Sequence, residues 1–338
     1  MSKYTSIGGQ ALIEGIMMKS PEKTALAVRT PNKEIDITYI DQKSIREKIK
    51  FLKLPVLRGV VSFVESMLQG YKAMMMSADK SGFTDLEDEK DKNTAPTETD
   101  EETATAEKKK ENPFVTATMI IGTVLGLVLA VVLFMYLPRL FVGGLEKLTH
   151  TAFPKIARSA IEQFLKLVVF VLYVWAVSFM KDIKRVFMYH GAEHKTIFCY
   201  EKGFELTVEN VRKQKRFHPR CGTSFMILMI LISVIISTVV QIIFPEVYSI
   251  QWLWVLAKIL MIPLVCGIGF EVLKLCGKYD NIFTKIISAP GLWLQRITTK
   301  EPEDDMIEIA IAALKACEPE NPDVDRSIDK KEDNNDDI

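Results

Sequence analysis

VTATMIIGTVLGLVLAVVLFMYL, residues 115–137, is a run without any charged side chain. A helix of this length covers the roughly 30 Å of hydrocarbon in a bilayer. Three further apolar stretches follow, at residues 161–180, 225–244 and 252–276. Lys166 interrupts the first of these, and its ammonium can reach a headgroup region from the apolar helix. The sequence therefore predicts a membrane protein, mainly α, with four transmembrane helices.

Positive charge predicts the orientation of these spans, because Lys and Arg are retained on the cytoplasmic side. The segment 245–251 between spans three and four has no Lys or Arg, whereas residues 181–223 between spans two and three are rich in both. We therefore place 181–223 in the cytoplasm, residues 138–160 outside, and both termini inside. The first residues lack a continuous apolar core, so we expect no cleavable signal peptide. The basic residues of the cytoplasmic segment are Lys181, Lys184, Arg185, Lys195, Lys202, Arg212, Lys213, Lys215, Arg216 and Arg220.

Residues 1–82 are predicted to form a small cytoplasmic module that contains β structure. Apolar and polar residues alternate in three stretches separated by turn residues, ALIEGIMM from Ala11, TALAVRT from Thr24 and EIDITYI from Glu34. Residues 55–78 place apolar side chains on one helical face, which predicts an amphipathic helix. This helix either packs on the β unit or the spans, or lies in the membrane interface.

The remaining segments are polar. Residues 83–112 and 318–338 are acidic and poor in apolar side chains, so we expect a disordered linker and a disordered tail. Residues 304–317 predict a short helix, and the segment before it is expected to be interfacial through Trp293. Lys plus Arg and Asp plus Glu are equal at 43 each, which gives no global electrostatic case for nucleic-acid binding. The five cysteines are scattered and are expected to be reduced.

One five-residue motif could carry chemistry. His190, Glu193 and His194 form H-x-x-E-H, the inverted zinc-peptidase signature. On a helix the two imidazoles share one face and can bind one metal ion. Glu193 could then act as a general base toward water.

Two more donors lie in the same cytoplasmic segment, His218 and Cys221. With His190 and His194 they give the nitrogen and sulfur ligands that suit tetrahedral zinc, or another divalent transition metal. Four ligands would make a closed structural site, whereas three would leave a position for a catalytic role of Glu193. A third interpretation has no metal, with the histidines capping helices or satisfying polar contacts.

Three other features have competing interpretations. Cys221 precedes span three, where a helix N-terminus favours the thiolate and suits a nucleophile or a ligand. Glu271 lies inside span four and is a candidate functional carboxylate, unless it pairs with Lys274 or reaches the headgroups. Its depth makes shared coordination with His190 doubtful. Gly8-Gly9-Gln10 matches a tripeptide of translation release factors, but a glycine turn is the simpler interpretation.

Four blocks of sequence resemble the YqhQ-like family of bacterial membrane proteins. These blocks are GGQALIEGIMM, YHGAEHKTIFCYE, HPRCGTSF and APGLWLQRITTKEPEDDMIEIAIAAL. The resemblance implies a protein of the bacterial inner membrane from a family that is uncharacterised or described as a predicted metal-dependent enzyme. The histidine and cysteine patterns of the family fall on His190, Glu193, His194, His218 and Cys221.

Two functions remain open from the sequence. The first is a metal-dependent hydrolase that acts at the cytoplasmic membrane face on a peptide or lipid-headgroup bond. The alternative is a non-catalytic scaffold or membrane-protein biogenesis factor with a structural zinc site. The lipid bilayer is the expected partner, together with an unidentified protein or lipid, and no nucleic acid is expected. The sequence leaves the oligomeric state open.

Overall fold

The computed structural model describes residues 5–41, 45, 49–54, 56–83, 113–219, 221–279 and 281–319. The predicted linker falls almost wholly outside these residues, as does nearly all of the predicted tail. Both predictions of disorder therefore lie outside the described residues.

A four-stranded antiparallel meander forms the N-terminal module, in the order β1-β2-β3-β4. Its strands are β1 Gly8–Leu12, β2 Gly15–Lys19, β3 Thr24–Arg29 and β4 Ile35–Ile40. The predicted β structure is present, and the stretch ALIEGIMM contributes to two strands. A two-residue turn at Ile13 and Glu14, where Glu14 has φ 49°, divides it into β1 and β2.

The Gly8-Gly9-Gln10 tripeptide lies on β1, so the prediction of a glycine turn is wrong. Gly9 pairs with Met18 in the ladder between β1 and β2. A Cβ at Gly9 would lie 2.9 Å from the Cγ of Glu193. The glycine is therefore required for close approach to a neighbouring helix rather than for a turn.

Helices cover both faces of the sheet. The helices of the described residues are α1 Leu57–Lys80, α2 Pro113–Val131, α3 Leu137–Thr149, α4 Lys155–Val177, α5 Lys181–Glu201, α6 Val208–Arg212, α7 Gly222–Ile243, α8 Pro245–Ser249, α9 Gln251–Lys278, α10 Ile282–Thr298 and α11 Asp304–Cys317, with a short 3-10 helix at Lys50–Lys53. Helices α5 and α11 pack on one face, around a core that includes Ile16, Ala27 and Tyr189. The second half of α1 packs on the other face through Ala73.

The amphipathic helix α1 joins the sheet to the helical domain. Its first half contacts α9, where Gly59 lies against Gly267, and its second half contacts the sheet. This confirms the interpretation in which the helix packs on the β unit and on a span. Exposed apolar side chains also remain on α1, at Val64, Met67, Leu68 and Tyr71.

Four helices of the described chain are long and apolar enough to cross a membrane, at Val124–Thr149, Lys155–Val177, Gly222–Ile243 and Trp252–Cys276. The first does not end at residue 137 as predicted. A π-helical turn at Val132–Tyr136 precedes Pro138, and the helix continues as α3 to Thr149. A wider turn accommodates a residue that lacks an N–H and would clash with a regular helix. The predicted external segment 138–160 is therefore mostly helical.

The segment 181–223 between the second and third spans is also largely helical. It contains α5, which carries the H-x-x-E-H motif, and the short α6. The helical conformation is interrupted at residues 178–180 between α4 and α5, so α5 is a separate helix from the second span. Helix α11 confirms the predicted C-terminal helix at 304–317.

Candidate metal centre

Helix α5 presents the motif residues in a fully covered environment. His190, Glu193 and His194 are each less than one-tenth exposed. The chain between α10 and α11 crosses this helix at Gly191, where an added Cβ would lie 2.0 Å from the carbonyl oxygen of Lys300. Gly191 is therefore needed inside the motif, because a side chain there would push this crossing segment away.

Cys221 is brought to the motif by the start of α7. It is the N-cap residue of α7, and its Sγ accepts a hydrogen bond from the backbone N–H of Thr223 at 3.4 Å. The Nε2 of His190 lies 3.0 Å from the Sγ of Cys221. One ligand atom from each of His190, His194 and Cys221 falls within 4.8 Å of the other two. This buried trio is the candidate metal centre.

Backbone carbonyls fix the orientation of both imidazoles. The Nδ1 of His190 lies 2.9 Å from the carbonyl oxygen of Thr298, and the Nδ1 of His194 lies 2.5 Å from that of Arg216. Each Nδ1 therefore carries a proton and donates it, so in the neutral form of each ring the lone pair is on Nε2. The Nε2 of His194 is buried and has no hydrogen-bond partner in the described chain. An orphaned lone pair beside a thiol fits a transition-metal ligand set.

The electrostatics of the trio favour the ligating form of Cys221. Burial opposes ionisation of the thiol, but the nearby His190 and His194 bring its pKa well below the ordinary value. Burial likewise disfavours charge on His190, yet the neighbouring Cys221 raises the pKa of this imidazole to about 9. The pair is therefore stabilised as thiolate and imidazolium. Metal binding would use the same thiolate and displace the proton from the imidazole.

Glu193 lies beside the trio and touches β1. Burial raises the pKa of this carboxyl, against the lowering effect of His194 and His190. Gly9 of β1 lies against this side chain, since a Cβ at Gly9 would lie 2.9 Å from the Cγ of Glu193. Because Gly9 has no side chain, strand β1 comes close enough to make this contact. A carboxyl with a raised pKa and a fixed position is suited to moving a proton.

His218 is adjacent to the trio but is not one of its members. Its ring centroid lies 5.7 Å from that of His194, and its Nε2 lies 3.4 Å from Oε2 of Glu201. The buried amide of Gln295 binds the backbone N–H and carbonyl of His218, at 2.8 and 2.7 Å. The structure thus brings three of the four predicted donors together, with His218 held beside a carboxylate.

Glu271, the other predicted site residue, lies apart from the trio. Its two carboxylate oxygens each accept a hydrogen bond from the guanidinium of Arg58 at 2.7 Å. The observed partner is thus an arginine of α1. The contact ties α1 to α9 and explains the acidic residue in an apolar helix.

Several contributors to the site lie outside any recognisable motif. The carbonyls of Thr298 and Arg216 act through the backbone, which leaves no signature in the side chains. Gly9 and Gly191 are visible in the sequence as glycines beside a strand and inside a helix, where a close approach is one interpretation. Gln295 carries no sequence signal, since a single glutamine has many uses.

The family described as "Protein of unknown function (DUF1385)" matches residues 54–320 of this chain. The chain is also 36% identical over 321 residues to the "Uncharacterized protein YqhQ" of Bacillus subtilis (strain 168). This alignment covers 93% of each of the two chains. No solved structure gives a significant match.

Proposed function

Because this chain belongs to the DUF1385 family, which carries no described activity, we propose its function from the candidate metal centre. The proposal is a metal-dependent hydrolase of the bacterial cytoplasmic membrane, with zinc as the metal. It spans the membrane four times and keeps both termini and the metal centre on the cytoplasmic side. The apolar helices and the asymmetry of Lys and Arg between the two loops support this topology.

The number of grouped donors is the observation that carries the catalytic assignment. Catalytic zinc sites use three protein ligands and keep a fourth position open, whereas structural sites close with four. Here His190, His194 and Cys221 form a group of three. The fourth predicted donor, His218, is held by contacts to Glu201 and Gln295.

The chain's own residues would divide the chemistry as follows. A bound zinc ion would supply Lewis-acid activation of the water and of the scissile bond. Glu193 would take the proton from the attacking water and return it to the leaving group. The close approach of Gly9 restricts the position of the Glu193 side chain, and burial raises the pKa of its carboxyl, which favours the return step.

A cavity lies beside β1. It has a volume of about 350 Å³ and is lined by residues that include Gly8, Gly9, Gln10, Lys19 and Gln69. Gly9 borders this cavity and also approaches Glu193, while Glu193 and the trio are not among the residues that line it. We expect the cleaved bond to be a peptide or lipid-headgroup bond, because the centre lies at the start of α7, one of the apolar helices.

One observation favours the alternative function, a scaffold or biogenesis factor with a structural metal. The trio and its carbonyl partners tie α5 to the start of α7 and the end of α10. A metal there would fix the sheet module on the helical domain. The ligands are also nearly inaccessible, with His194 only 1% exposed.

The substitution Glu193→Gln separates the two functions. The hydrolase assignment predicts that the variant keeps its metal and its abundance but loses complementation of a deletion strain, with a fall of 10²–10⁴-fold in any measured turnover. The matched control is Asp182→Asn, an exposed acidic residue in the first turn of the same helix that lies outside the trio. It should keep both metal and activity.

Two results would contradict the hydrolase assignment. Full complementation by Glu193→Gln at normal abundance would favour the scaffold. Loss of metal from this variant would instead make Glu193 a ligand or a support for one.

A further inference from the structure

A second polar cluster lies at the end of the helical domain opposite the metal centre. It fills the space between α3, α4 and α9, three of the helices that are apolar enough to span a membrane. A small cavity of about 30 Å³ lies at its centre. The polar side chains that line this cavity are Arg139, Ser159, Glu162, Gln163, Lys166 and Lys258.

Ion pairs account for only part of the charge in this cluster. Arg158 contacts Glu146 at 3.0 Å and Glu162 at 3.3 Å, and Arg139 lies 4.0 Å from Glu162. Both carboxylates are thus engaged by arginines. With Lys166 and Lys258 added, four cationic side chains face two carboxylates, which leaves an excess of two positive charges.

The two lysines carry this excess. Both lysines line the same small cavity. The Nζ of Lys166 lies 3.5 Å from the amide oxygen of Gln163, and the Nζ of Lys258 lies 5.2 Å from the centroid of the Trp254 ring. In the described chain no carboxylate forms an ion pair with either lysine. Two ammonium groups that line one cavity inside an apolar domain repel each other, and a small anion between them would offset that repulsion.

The depth of the cluster restricts the kind of anion. Counted along the helices, Lys166 lies about 16 Å from the start of α4 and Lys258 about 10 Å from the start of α9. A lipid phosphate remains near the bilayer surface, and its bulk exceeds a cavity of about 30 Å³. A space of that volume is enough for about one water-sized particle.

We propose that this cavity binds one small monovalent anion of chloride size between the ammonium groups of Lys166 and Lys258. The hydroxyl of Ser159 and the amide N–H of Gln163 line the same cavity and can donate to the anion. The charge ladder from Glu146 through Arg158 to Glu162 connects the cavity to the end of the helices. The site is independent of the proposed hydrolase.

The wild-type protein tests this site directly. Protein purified in detergent or reconstituted in nanodiscs is equilibrated with radioactive chloride, and bound halide is measured after removal of free ions. We expect about one tightly held halide per chain, displaced by bromide but not by gluconate. We also expect a higher unfolding midpoint in chloride than in gluconate. Equal midpoints together with no retained halide would overturn the proposal.

Charge reversal locates the site within the protein. Lys258→Glu supplies an internal carboxylate and cancels the excess of two charges, so halide retention should fall at least tenfold while the protein folds equally well in gluconate. The matched control is Lys147→Glu, the same charge change on an exposed residue of α3 outside the cavity, which should retain halide. Unchanged retention in Lys258→Glu would place the halide elsewhere and overturn the assignment. If Lys258→Glu does not accumulate, Lys258→Met must show the same loss.

Discussion

The metal centre and the lysine cluster are both buried polar groups at the ends of one helical domain, but they would bind ligands of opposite charge. At the metal centre, the Nδ1–H groups of His190 and His194 donate to backbone carbonyls, and one ligand atom of each ring lies close to the sulfur of Cys221, as a cation would require. In the lysine cluster, arginines occupy the carboxylates, which leaves two ammonium groups without an anion. The groups that remain available at each site, nitrogen and sulfur donors in one and ammonium groups in the other, indicate the ligand that the site would bind.

The two sites also differ in how the chain assembles them. Two metal donors lie one helical turn apart on α5, and the third is the N-cap residue of α7. The lysine cluster instead combines four polar residues of α4 with Arg139 of α3 and Lys258 of α9. A site of the first kind has a sequence motif, whereas a site of the second kind is defined only by packing.

Removal of the sulfur ligand should produce the largest effect at the metal centre. Cys221→Ser replaces a thiolate with a weak ligand, so bound metal should fall at least tenfold and the contact between α5 and α7 should loosen. Cys199→Ser is the matched control, since Cys199 is a buried cysteine of α5 outside the trio. Metal content measured by elemental analysis checks the prediction. Equal metal in the two variants would remove Cys221 from the centre.

A methyl group at the helix crossing tests whether packing supports the metal site. Gly191→Ala places a Cβ against the carbonyl of Lys300, which should cost about 1–3 kcal/mol of stability and weaken metal binding. Gly143→Ala in α3 is the control, because no atom lies within 4 Å of the added Cβ. The measurement is the unfolding midpoint of each variant. If both behave alike, the crossing segment moves freely and does not position His190.

The smallest effect concerns the contact between the sheet and α5. Arg185 donates to both oxygens of Glu14 at 2.5 and 2.6 Å, and Tyr189 donates at 3.0 Å. Burial raises the pKa of Glu14, but Arg185 outweighs it, and the pKa falls below the ordinary 4.5. The contact therefore stabilises the fold above about pH 4.5 and weakens as the pH falls through the lowered pKa.

Glu14→Gln tests this contact across pH. Because Arg185 is partly exposed, we expect a loss of about 1 kcal/mol at neutral pH that shrinks in acid. Glu22→Gln, on the exposed turn between β2 and β3, should have no such effect. Stability measured from pH 3 to pH 7 checks the difference. A penalty that persists at pH 3 would assign the role of Glu14 to shape rather than charge.

Much of the fold could be predicted from local pattern. Long uncharged runs located the four apolar helices, and alternation located the sheet. Local pattern missed the places where one residue changed the outcome. Glu14 occupies a turn inside an apparently continuous strand, and Pro138 is accommodated by a π-helical turn rather than ending its helix.

The functional sites likewise divide into residues that the sequence could identify and residues that it could not. Spacing and chemistry identified His190, His194 and Cys221, whereas the orienting carbonyls of Thr298 and Arg216 have no side-chain signature. Lys258 lies in a stretch that was treated as an ordinary span, because one lysine does not outweigh the surrounding apolar residues. Its meaning depends on Lys166, which comes close only after the helices pack.

Metal analysis of purified wild-type protein, combined with X-ray absorption at the metal edge, tests the central claim most directly. The protein should be prepared without chelators. We predict about one equivalent of zinc with two imidazole nitrogens, one sulfur and one light non-protein ligand, in agreement with the trio of His190, His194 and Cys221. Metal-free protein, or a shell completed by a third imidazole from His218, would contradict an open three-residue centre.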